Sequence, residues 1–160
     1  MDFEQRLQKA IQRGQSASDA ESRARAERAM GEEELKRLHS QYRLELSDYI
    51  EKCLRKLPQY MPGFQFETVV SDRGWGGKVS RDDFARHAGS RDSVFSRLEL
   101  VVRPFSSAHV LEIQAKGTVR NKEIFNRSTY HPLHETDINT FEHTVDVWVL
   151  EFAELYAARS

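Results

Sequence analysis

The sequence predicts an α+β domain in two layers: a long N-terminal helix, an antiparallel meander of four to five strands, and a C-terminal amphipathic helix packed on one sheet face. Three observations carry that expectation. From Ile138 to Tyr156 the large apolar residues Ile138, Phe141, Val145, Trp148, Phe152 and Leu155 recur at steps of three and four, which returns them to one helix face. Between Leu35 and Leu57 a second stripe follows the same period. Between them, after Gly63, the apolar period changes to two, as in half-buried strands.

Residues 1–31 read as helix-prone but weakly anchored. Phe3, Leu7, Ala10 and Ile11 form a short apolar face, Gly14 interrupts it, and Ser18 with Glu21 has the capping-box spacing of a new helix start. From Ala20 to Met30, Ala alternates with Arg and Glu, which favours helix by propensity while offering little apolar area to bury. A seven-residue register through this segment places Glu21 and Arg28 in the seam, a poor coiled-coil pattern. The expected organisation is a charged helical arm over 1–31, either frayed or self-associating, and a single α+β domain over 32–160.

In the next helix Leu35, Leu38, Tyr42, Leu46, Tyr49, Cys53 and Leu57 share a face, widened by Ile50 and Leu54. Glu32, Glu33 and Glu34 suit its first turn, Lys52, Arg55 and Lys56 its last, and Pro58 and Pro62 its end. Phe64, Phe66, Thr68 and Val70 alternate as a first strand. Arg73 to Lys78 reads as a glycine-rich loop before a short strand near Lys78 to Arg81, and residues 82–92 read as irregular, with a helical turn near Phe84. Val94 to Arg103 and His109 to Gly117 are strands, and a turn near Asn121 and Lys122 leads into a last strand from Glu123 to Tyr130. Short connections imply hairpins, and the alternation implies one covered face and one wet face.

Composition excludes several function classes. The net charge is −1, from 24 Lys/Arg and 25 Asp/Glu, which lacks the strong basic excess of a nucleic-acid-binding domain. Its distribution is uneven: residues 61–134 carry 11 basic against 8 acidic side chains, and residues 135–160 carry 1 against 6. Cys53 is the sole cysteine, so an internal disulfide is impossible and the residue reads as a small apolar side chain. No apolar run reaches the roughly 20 residues of a membrane span, and Asp2, Glu4 and Arg6 do not make a secretory signal. No membrane partner is expected, and a reducing cytoplasm is the expected compartment.

Three constellations are candidate sites. Arg73, Trp75, Lys78, Arg81, Arg86 and Arg91 place glycines, an indole and cations together, as for a phosphorylated ligand or single-stranded nucleic acid. The order G-x-x-x-x-G-K-[ST] of a nucleoside-triphosphate loop is absent. Arg97, Glu99, Val101, Arg103, Val110, Glu112, Gln114 and Lys116 alternate onto the wet sheet face, as cross-strand ion pairs or a docking face. His131, His134 and His143 are metal candidates without a zinc spacing. No serine, histidine or carboxylate stands in a catalytic motif, and no cofactor is implied. The favoured function is a non-enzymatic protein-interaction or scaffolding module that associates with itself or with another protein. The runner-up is a nucleic-acid or phosphorylated-ligand module using residues 73–97. A small enzyme with a pocket between sheet and helices is a third class.

Overall fold

A computed structural model describes residues 2–87 and 90–159, with the side chains at 23–24, 26–27, 29–30, 84–87 and 90–92 outside that description. The chain divides into two units, Met1–Arg37 and Leu38–Ser160.

The first unit is helical. Helix α1 runs from Phe3 to Tyr60 without a break, so it supplies all of the first unit's secondary structure and the first element of the second. Asp2 starts it, its carboxylate accepting a hydrogen bond from the Gln5 amide at 2.9 Å. The expected starts at Ser18 and at Glu32 to Glu34 are corrected, because both lie inside one helix. Gly14 and Gly31 do not break it; a helical glycine costs only about 1 kcal/mol relative to alanine, and long Ala/Arg/Glu/Gln runs absorb that. Pro58 lies in the last turn. Its ring removes one amide, and the Met61 amide closes the helix on the Leu57 carbonyl at 2.7 Å. Lys52, Arg55 and Lys56 therefore precede the last turn instead of occupying it.

The second unit contains five strands, β1 (Gln65–Ser71), β2 (Gly74–His87), β3 (Ser90–Val102), β4 (Val110–Val119) and β5 (Lys122–Pro132). They form one antiparallel sheet in the order β1-β2-β3-β4-β5. A short 3-10 turn over Leu133–Glu135 leads to α2 (Ile138–Ala158), which packs on the sheet. Asp137 caps α2, accepting from the Asn139 amide at 3.0 Å.

Alternation sorts the sheet into two faces. Leu98, Leu100 and Val102 of β3, with Leu111, Ile113 and Ala115 of β4, are buried on the inner one. Leu46, Ile50 and Leu54 of α1 and Phe141, Val145 and Phe152 of α2 are buried with them. Phe64 joins the layers, edge-on to Phe152 at 6.0 Å and to Tyr156 at 4.9 Å between ring centroids. On α2 the buried stripe also takes in Val149 and Tyr156, whereas Ile138 and Leu155 stay half-exposed.

The glycine-rich stretch is a correction. Gly74 to Lys78 is strand, and the turn is Asp72-Arg73, with Ser71 paired to Gly74. Glycine here serves close approach: a Cβ on Gly76 would overlap the Leu100 carbonyl oxygen, and one on Gly77 would lie 2.8 Å from the Phe66 ring and 3.2 Å from Leu54. Within residues 82–92, expected to be irregular, 82–87 and 90–92 extend β2 and β3 in unbroken register as far as His87 and Ser90, and 88–89 lie outside the described residues. At the same end of the sheet, Arg120 and Asn121 (φ 49° and 69°) make a two-residue turn of the kind that suits hairpin twist. Asn121 also receives the Phe95 amide on its side-chain oxygen at 2.8 Å.

Two glycines of opposite setting test this packing. Gly76→Ala is expected to lower the unfolding free energy by more than about 3 kcal/mol, because the new methyl meets backbone. Gly14→Ala, in open space, is expected to raise helix content and cost nothing. Urea titration and circular dichroism read both.

Candidate interaction surfaces

Strand parity divides the first candidate cluster. Lys78 faces outward, paired to Glu67 at 3.3 Å. Trp75 and Arg81 face the helices. The Arg43 guanidinium of α1 covers the Trp75 ring at 4.3 Å. Arg81 bonds Asp83 at 2.7 Å and the Pro62 carbonyl at 2.5 Å. Arg73 lies in the turn and turns outward to Glu99 at 2.8 Å. Arg86 and Arg91 are cross-strand partners by backbone register, and their side chains fall outside the described residues. The structure therefore does not bring Arg73, Trp75, Lys78 and Arg81 together. Because Gly74 to Gly77 belong to a strand with neighbours on both sides, their amides face the ladders instead of forming an anion cradle.

The second group does share a face. The register aligns Glu67, Lys78, Glu99, Lys116 and Asn126 across all five strands, a row of alternating sign. Arg97 pairs with Thr118 in the adjacent row, and Val101 with Gln114 in the row on the other side. Beyond them the Arg103 amide bonds the Glu112 carbonyl at 2.8 Å, and Val110 ends the face opposite Pro132. Glu99 is only 4% exposed on this outer face. Arg73 and, at 3.7 Å, Arg97 close over it. Arg103 braces the arrangement by donating to the Arg73 carbonyl at 2.7 Å. The outer face is thus largely neutralised by its own cross-strand pairs, each contributing about 0.2–1 kcal/mol.

The histidine candidates stay apart. His131 lies edge-on to Phe141 at 5.3 Å, His134 approaches Glu135 at 3.5 Å, and His143 is exposed on α2. Among the described residues no group of three or more His, Cys, Asp or Glu gathers as a ligand set. Among them, too, no helix is long and apolar enough to cross a membrane.

The seam between α1 and α2 was not anticipated. There the Tyr49 hydroxyl donates to Asp146 at 2.6 Å, and the Cys53 thiol approaches the same oxygen at 3.7 Å. The carboxylate holds the phenol well above its ordinary range, and burial, reinforced by Asp146, pushes the thiol up as well. A raised thiol is a poor nucleophile at neutral pH, so this trio ties helices together and does not activate sulfur. Beside it opens a groove of about 380 Å³, floored by Cys53, Leu57 and Val149, with Tyr60 at one end and Lys52, Lys56 and the exposed Leu150 along its edges. It continues into a second hollow, of about 250 Å³, whose walls carry Glu45, Asp48 and Glu142. One end of the seam is apolar and the other acidic. Periodicity could not reveal this, because Tyr49 and Asp146 are 97 residues apart and each reads as an ordinary flank of its own stripe.

His39 is the other unanticipated feature. It is buried, donates from Nε2 to the Arg103 carbonyl at 3.0 Å and lies edge-on to Phe105 at 5.7 Å. Burial, with Arg43 nearby, holds it below its ordinary pKa of 6.5, and the hydrogen bond to Arg103 opposes that shift. Because the folded state binds this proton less readily than the unfolded chain, its contribution to stability is complete above pH 6.5 and is lost as pH falls below that value. Urea titrations between about pH 7 and pH 5 are expected to show that loss, and His39→Gln, which does not titrate, is expected to flatten it. Tyr49→Phe is expected to cost about 1–3 kcal/mol by removing a hydrogen bond to a carboxylate, read in the same assay. No protein-family model, curated protein or solved structure matches this chain.

Proposed function

We propose that this protein is a non-enzymatic interaction module that self-associates through its N-terminal helix. One observation carries the reading. Residues 2–37 are helical almost throughout, none of their described side chains is buried, and Phe3, Leu7 and Ile11 are 74%, 47% and 53% exposed. Those three recur every four residues, so they lie on one face. A helix in water draws little stability from propensity alone and takes most of it from covering an apolar face. A second copy supplies that cover without electrostatic cost, since residues 1–37 carry 8 basic and 8 acidic side chains.

The phosphorylated-ligand reading has less support, because Trp75 and Arg81 lie on the opposite sheet face from Lys78, and Arg73 and Lys78 each face a carboxylate. An enzymatic reading needs an activated group in a cleft, and the thiol in the α1–α2 groove is shifted the wrong way.

Light scattering coupled to size exclusion tests the proposal. The full chain is expected to form a dimer at micromolar concentration. Deleting residues 1–31, or combining Leu7→Glu with Ile11→Glu, is expected to yield a monomer whose remaining domain keeps its stability within about 0.5 kcal/mol. A full-length chain that stays monomeric at every concentration removes the reading.

A further inference from the structure

We propose that the groove between α1 and α2 is the acceptor for residues 3–13 of a second copy, laid antiparallel to residues 45–60, with Phe3 at the Tyr60 end and Arg13 at the Glu142 end. This rests on the self-association reading and names the surface that it uses.

The two partners match in length, polarity and charge. Phe3, Leu7 and Ile11 span eight residues, about 12 Å along a helix. The groove is lined along α1 from Tyr49 to Tyr60, eleven residues and about 16 Å, long enough to seat that stripe. Tyr60 is 82% exposed and Leu150 68%, so this end offers large apolar surface to the apolar face of an incoming helix. The charge order sets the direction. The donor carries Asp2 and Glu4 beside Phe3, then only cations, Arg6, Lys9 and Arg13, as far as Ser18. The acceptor carries Lys52 and Lys56 beside its apolar end, then Glu45, Asp48 and Glu142 in the adjoining hollow. Antiparallel docking sets acids against lysines at one end and cations against carboxylates at the other. The reverse direction sets like against like at both ends, which opposes binding. Reciprocal docking uses each surface once per copy and closes as a twofold dimer.

Cys53 on the groove floor provides a reporter, being the sole cysteine. In full-length protein, Ile11→Cys, which this register sets beside Cys53, is expected to form a disulfide with Cys53 of the other copy on treatment with diamide. Isotope-labelled and unlabelled chains are mixed so that peptide mass spectrometry assigns the bond between copies. The yield is expected to exceed that of Gln12→Cys, one position around the helix, by about tenfold, through the high effective concentration of docked groups. Independently, Arg13→Glu is expected to weaken dimerisation about tenfold, and Glu142→Lys in the same chain to restore it. A dimer in which Ile11→Cys and Gln12→Cys crosslink equally, or in which Glu142→Lys gives no rescue, overturns the groove assignment and leaves self-association standing. A chain that is monomeric throughout overturns both.

Discussion

Phe141, Val145 and Phe152 on one helix and Leu46, Ile50 and Leu54 on another must all lose contact with water at once, and a single sheet face provides the cover. That requirement sets most of the architecture. Burying each such side chain contributes about 1.5–3 kcal/mol, so neither helix can leave the sheet without exposing its stripe. An antiparallel meander meets the requirement with short connections, because its strands present one apolar and one polar face. The inner face has to be smooth beneath the helices, which is why Gly77 lies under Leu54 and the Phe66 ring.

Setting two helices side by side creates the remaining features. A seam between them runs along the outside of the helical layer. Tyr49 and Asp146 bond across it, and Arg127 of β5 grips Glu151 of α2 at 2.5 and 2.9 Å, holding that helix to the sheet's edge strand. The same pairing lowers the Glu151 carboxyl below its ordinary range. The outer sheet face is occupied mainly by its own alternating charges. The seam, by contrast, keeps an apolar end that nothing in the folded unit covers, and this asymmetry is why the seam supports an interaction reading better than the sheet does.

Much of this was legible in the sequence. The α2 stripe, the strands after Val94 and the two-faced character of the sheet follow from periods of 3.6 and 2 alone. Where sequence and structure differ the cause is shared: glycine and polar residues read as punctuation in a local pattern. Gly14 and Gly31 do not interrupt α1, because each costs little within a long helix of good formers. Gly76 and Gly77 are strand residues without room for a side chain, Gly76 against the Leu100 backbone of β3 and Gly77 against Phe66 of β1 and Leu54 of α1. Asp82, Asp83, Arg91 and Asp92 concealed the long β2–β3 hairpin, since strand pairing can override composition. Once residue 75 is known to be strand, parity alone separates Trp75 from Lys78. The seam and the His39 site were beyond reach of any local pattern, because each joins residues more than sixty positions apart.

Native-state hydrogen exchange, resolved by residue, tests the seating of both helices on one sheet face. The amides of Leu98 to Val102, Leu111 to Ala115, Leu46 to Leu54 and Phe141 to Phe152 are expected to exchange together, at the slow rate set by global unfolding. If the α2 amides exchanged as fast as an unprotected peptide while β3 and β4 remained slow, the two-layer arrangement and the seam derived from it would be wrong.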